Sequence, residues 1–94
     1  MNWREVPLTE HMTEAAAVVG EAEVVIEFAP AARGWFRVSV FEDLKEPRGD
    51  RFFARAVEKE DPQVQATASA ETAEDAAARC LLEAGISLRR ARGR

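Results

Sequence analysis

The chain holds one cysteine, one histidine and no tyrosine in 94 residues. A single cysteine, Cys80, excludes an intrachain disulfide and fits a reducing compartment. One histidine beside one cysteine falls short of the three or four ligands of a protein metal centre, so neither a metal nor a cofactor is expected. The sequence has no glycine-rich phosphate loop, nucleophile elbow or dinucleotide fingerprint, and enzymatic activity is the least supported class. No apolar run approaches the ~20 residues needed to cross a bilayer. The opening MNWREVPLTEH lacks the basic-then-apolar pattern of a secretory signal, so a cytoplasmic domain is the expectation. Basic residues are not in excess: the net charge is −4, which disfavours non-specific nucleic-acid binding by the whole surface. Lysine is scarce beside arginine, and alanine is abundant. That bias reads as the coding of a GC-rich bacterial or phage genome, without functional content.

What is present is a small globular composition, 47% hydrophobic and 32% charged, in a length that suits a single domain over residues 1–94. Its clearest element is TAEDAAARCLLEAG, residues 72–85. Ala73, Ala76, Ala77, Cys80, Leu81 and Ala84 follow the i, i+3, i+4, i+7 spacing of a buried helical stripe. Thr72 is placed to cap the first turn by accepting from the N–H of Asp75. Gly85 reads as the stop, with Ile86 and Leu88 folding back on the last turn. Beyond it lies a solvated basic tail, residues 89–94, carrying Arg89, Arg90, Arg92 and Arg94.

Four segments alternate with the two-residue period of strands. EAEVVIEF (21–28) sets Val24, Ile26 and Phe28 against Glu23, Val25 and Glu27. A turn of about six residues, APAARG, bounded by Pro30 and Gly34, leads to WFRVSVFE (35–42). There Phe36, Val38 and Val40 take one side, and Trp35, Arg37, Ser39 and Phe41 the other. The charged loop DLKEPRGD, punctuated by Pro47 and Gly49, precedes RFFARAVEK (51–59), where adjacent Phe52 and Phe53 leave the register open. QVQATASA (63–70) follows, with Val64, Ala66, Ala68 and Ala70 as a small apolar face. Before the strands, residues 1–8 form a leader with Trp3, Val6 and Leu8 as possible anchors. Thr9 and Glu10 then open a short helix with Leu8, Met12, Ala15, Ala16 and Val19 on one face and Gly20 as its stop. The run AAAVV is equally able to join the first strand.

The expected fold is therefore two-layer α+β: a three- or four-stranded antiparallel sheet with an N-terminal and a C-terminal helix. This order resembles that of double-stranded-RNA-binding domains, and its strands-then-alanine-rich-helix half is similar to small antitoxins of the HicB type. The chain departs from both. Glu71, Glu74 and Asp75 stand where the RNA-binding family places a lysine cluster, and DLKEPRGD replaces the antitoxins' Pro-x-x-Pro-Gly-like turn. A fold-level likeness carries no function by itself.

No residue constellation supplies catalytic chemistry. Cys80 lies on the apolar stripe, where a thiol packs and stays inert. His11 sits among Glu10 and Glu14 without a partner. Glu58, Glu60 and Asp61 read as a solvated turn. Two features rise above this background. On the sheet face opposite the helix, Trp35, Arg37 and Phe41 lie beside Phe53 and Arg55, with Val25 joining them. Aromatics interleaved with arginine suit a protein interface or base stacking, unless the leader folds over them. The second is the tail, where Arg89, Arg90 and Arg92 can meet phosphate. The expectation is a binding module that associates with itself or another protein through the outer sheet face or a strand edge. The alternative is a nucleic-acid-binding module using the sheet arginines and the tail. No membrane partner is expected.

Overall fold

The structure, a computed structural model, describes residues 5–7, 11, 15–29, 32–45 and 49–92. It is a four-stranded antiparallel meander followed by one helix: β1 (Ala16–Ala29), β2 (Ala32–Asp43), β3 (Phe52–Glu58), β4 (Gln65–Ala70) and α1 (Ala73–Arg92). The strands pair in chain order, so β1 and β4 are the edges.

The α+β class holds, but its N-terminal helix does not. Ala16 and Val19, expected on a helix face, belong to β1, and no α-helix precedes that strand among the described residues. The proposed cap and first turn, Thr9, Glu10 and Met12, lie outside the described residues, as do Trp3 and Leu8. The reason is local: valine is stiff at χ1 and favours the extended chain, and the long β2 offers residues 16–18 a partner at Phe41, Glu42 and Asp43. The hairpin is also tighter than the six-residue turn the sequence suggests. Pairing continues to Ala29↔Ala32, with Pro30 outside the described residues.

The inner face carries Phe36, Val38 and Val40 from β2, Ala54 and Ala56 from β3, and Ala66 and Ala70 from β4, all buried. Against it lies the alanine stripe: Ala76, Cys80, Ala84 and Gly85 are buried, with Ala73, Ala77 and Leu81 at the margin. Small residues on both layers let helix and sheet approach closely. The Phe52–Phe53 ambiguity resolves with Phe52 against the core and Phe53 opposite Phe41 on the outer face.

Helix α1 starts as its sequence signals. The N–H of Asp75 donates to Thr72 Oγ1 at 3.1 Å, and the N–H of Ala76 donates to the Thr72 carbonyl at 3.0 Å. It does not stop at Gly85. Glycine within a helix costs roughly 1 kcal/mol relative to alanine, and two contacts offset this. Leu88, one turn on, is fully buried, and Gly85 passes so close to β1 that a Cβ there would lie 3.1 Å from Phe28 Cζ. Ile86 and Leu88 are therefore helical rather than folded back, and Arg89, Arg90 and Arg92 form the last turn instead of a free tail. Leu88 also explains Gly34: a Cβ at that position would stand 2.9 Å from Leu88 Cδ1. Between β2 and β3, Gly49 adopts a φ of 67°, a conformation most side chains resist.

The extended helix is testable at its last core contact. Leu88→Ala should lower unfolding free energy by about 2–5 kcal/mol, measured by chemical denaturation, whereas a residue in a frayed tail would cost less than about 0.5 kcal/mol.

Candidate interaction surfaces

The outer sheet face brings the expected residues onto one side, but it divides them into two groups. Phe41 and Phe53 face each other across β2 and β3 and stack, with centroids 4.9 Å apart and planes at 19°. Trp35 lies at the other end of β2, about 20 Å away at strand spacing, opposite Val25. Lys59 Nζ lies over one face of its ring, 4.5 Å from the centroid, and Trp35 stays 48% exposed. Arg37 and Arg55 stand between the two groups. Arg37 pairs loosely with Glu23 at 4.0 Å, and Glu23 also accepts from Lys59 Nζ at 3.0 Å. Arg55 is exposed opposite Ser39 and Thr67. Each of these rings thus has one face engaged by a neighbour. Whether the leader folds over them rests on Trp3 and Leu8, outside the described residues.

The three tail arginines point to separate partners. Arg89 lies over the Phe28 ring at 4.9 Å. Arg92 approaches Asp61 at 3.7 Å. Arg90 lines a polar hollow with Asp61, Gln63 and Ser87. They do not converge into one phosphate-binding cluster.

Two features escaped the sequence reading. The first is Glu58, expected in a solvated turn but 2% exposed. It continues the inward alternation of Ala54 and Ala56, which was the available signal. Its Oε1 accepts from the N–H of Trp35 at 3.2 Å. Its Oε2 accepts from the N–H of Glu60 at 2.7 Å and from that of Asp61. Burial alone would raise its pKa, but these three N–H donors, helped by the Arg92 charge, hold it below the ordinary carboxylate range. The carboxylate ties the β3–β4 turn to β2 at Trp35, just before the pairing of β2 with β3 begins.

The second is the inner side of β1. Helix α1 lies over β4 and β3, reaches β2 and barely touches β1. The apolar row Val24, Ile26 and Phe28 is left beside Leu81, Leu82 and Gly85 as an open groove of about 490 Å³. Phe28 is 52% exposed and Leu82 72%. The two sheet edges also differ. Two outward carbonyls of β4 receive side-chain donors from α1, Ser69 from Arg79 Nη1 at 3.1 Å and Gln65 from Ser87 Oγ at 3.3 Å, while Cys80 Sγ approaches the Ala66 carbonyl, which faces β3, at 3.5 Å. No described helix side chain donates to the backbone of β1.

Cys80 itself is fully buried, and burial pushes its thiol up from the usual range. That environment suits packing rather than nucleophilic chemistry. His11 is exposed. Among the described residues, no group of three or more His, Cys, Asp or Glu side chains is placed to hold a metal ion. No described helix is long and apolar enough to cross a membrane. No family model matches the chain, and neither a curated protein nor a solved structure matches it.

Two measurements follow. Cys80→Ser should cost roughly 1–2 kcal/mol of stability, because a hydroxyl replaces a buried thiol, and the native thiol should resist alkylation until the protein unfolds. For Glu58, a folded pKa below the unfolded one means that its stabilisation is complete above the ordinary carboxylate range. It is lost as pH falls through the lowered folded value. Glu58→Gln should therefore destabilise at neutral pH by about 1–3 kcal/mol and flatten the acid limb of a stability-versus-pH curve.

Proposed function

We propose that this domain works by binding another protein chain, which adds as an extended strand to the free edge of β1. The observation that carries this reading is the combination found at β1. It is an edge strand of 14 residues, and the apolar row beside that edge is only half-covered by α1, with Phe28 exposed. Strand addition draws affinity from main-chain hydrogen bonds and selectivity from pockets that receive alternate side chains. β1 offers both, whereas β4 is short and tied to the helix. A contiguous apolar groove with a polar rim is also the kind of surface that marks interaction sites on small soluble domains.

The outer face supports a nucleic-acid platform less well. Base stacking needs free aromatic faces, and here Lys59 occupies one face of Trp35 while Phe41 and Phe53 stack on each other. In the last helical turn, Arg89 and Arg92 are similarly engaged at Phe28 and Asp61.

The test uses peptides selected from a random library for binding to the intact domain. Bound peptides should slow amide hydrogen exchange over residues 20–27. Leu82→Glu, at a solvent-exposed position, should leave stability within about 0.5 kcal/mol and weaken binding by about tenfold or more, since one buried leucine side chain is worth about 1.5–3 kcal/mol. Peptides that leave β1 exchange unchanged, or that bind the Leu82→Glu variant equally well, would overturn the reading.

A further inference from the structure

We propose that the strand accepted by β1 comes from a different protein and alternates apolar with basic side chains, rather than from a second copy of this chain; this rests on the strand-addition reading above. Irregularities in the β1–β2 pairing fall between Val18 and Gly20 and between Glu27 and Ala29. A bulge twists an edge away from further pairing, so the regular stretch open to a new strand is residues 20–27. Its groove-side row is Gly20, Ala22, Val24 and Ile26. Its outer row is Glu21, Glu23, Val25 and Glu27.

Charge argues against self-pairing. A twofold axis that keeps both inner faces on one side makes two β1 edges antiparallel, and residues directly opposite then share a face. Sliding one copy along the other with the faces matched brings Glu21 opposite Glu23, then Glu23 opposite its own counterpart, then Glu21 opposite Glu27, then Glu23 opposite Glu27. Like charges directly opposite are destabilising. The register that avoids them overlaps the two stretches over residues 25–27 alone, too short to hold a strand pair.

The same row favours a basic partner. β1 contains three glutamates and no lysine or arginine. Among the described residues, the cations that reach them come from the neighbouring strands: Arg33 at 3.6 Å from Glu27, and Arg37 at 4.0 Å and Lys59 at 3.0 Å from Glu23. Glu21 has no ion-pair partner among the described residues. Lysine or arginine at alternate positions of an added strand would lie against the opposite flank of each carboxylate, the one that faces the open edge of β1. The intervening apolar side chains of that strand would lie beside Val24 and Ile26, facing Leu81 and Leu82 across the groove.

Three labelled peptides of equal length test this, alternating Val with Lys, Val with Gln or Val with Glu. Affinity is read by fluorescence polarisation and location by amide exchange. The Val–Lys peptide should bind about tenfold tighter than Val–Gln, the sum expected of a few cross-strand charge pairs, with Val–Glu weakest. It should protect residues 20–27, and Glu21→Gln with Glu27→Gln should narrow the preference to a few-fold. Val–Gln binding as tightly as Val–Lys, with β1 protected, would overturn the charge inference and leave strand addition standing. Val–Lys binding without protection of residues 20–27 would overturn both. A dimer seen by sedimentation and abolished by Leu82→Glu would overturn the choice of a foreign partner.

Discussion

One helix cannot roof four strands. A helix with its side chains is about 10 Å across, while four strands spaced nearly 5 Å apart span about 14 Å between their outer axes. Helix α1 therefore has to choose its strands, and the side chains make the choice. Ala54, Ala56, Ala66 and Ala70 on β3 and β4 present a low surface, and the alanine stripe of α1 settles onto it. β2 supplies the bulky Phe36, Val38 and Val40 that fill the flank. β1 receives what is left: a contact at Phe28, where Gly85 lets the helix pass and Arg89 covers the ring.

Much of this was legible in the sequence. The period-two alternation of β2 and β4, the Thr72 cap and the alanine stripe appear as the residues require, and the shared face of Trp35, Arg37 and Phe41 follows from alternation alone, whereas the placing of Phe53 and Arg55 beside them depends on the register of β3. Two boundaries were not legible, because tertiary contacts decided them. Gly85 carries a stop signal, yet its helix continues since Leu88 has a core site to fill and Gly34 leaves room for it. Ala16 to Val19 fit a helix face by spacing, yet a partner strand was long enough to claim them. The groove could not be read from β1 at all. Val24, Ile26 and Phe28 look like core in any alternation pattern, and their exposure depends on where the helix sits rather than on their own residue types.

Glu58 shows a different limit. A glutamate between Val57 and Lys59, close to Glu60 and Asp61, has the composition of a wet turn. Its burial is tolerable because three backbone N–H groups converge on the carboxylate. Gly34 contributes, because a Cβ there would come within 3.3 Å of the Glu58 side chain. Leu88, Gly34 and Glu58 thus form one junction where the end of the helix, the hairpin and the β3–β4 turn depend on each other. Damage to any one of the three should be felt by the other two.

The unequal edges bear on stoichiometry. A sheet that polymerises must offer a donor edge and an acceptor edge on every subunit. In this domain, side chains of α1 occupy the outward carbonyls of Gln65 and Ser69 on β4, and among the described residues no helix side chain does the same to β1. Such a sheet can be lengthened once. Under the proposed strand addition, its product would be a closed one-to-one complex rather than a fibre, with the domain as a chain end, not a link.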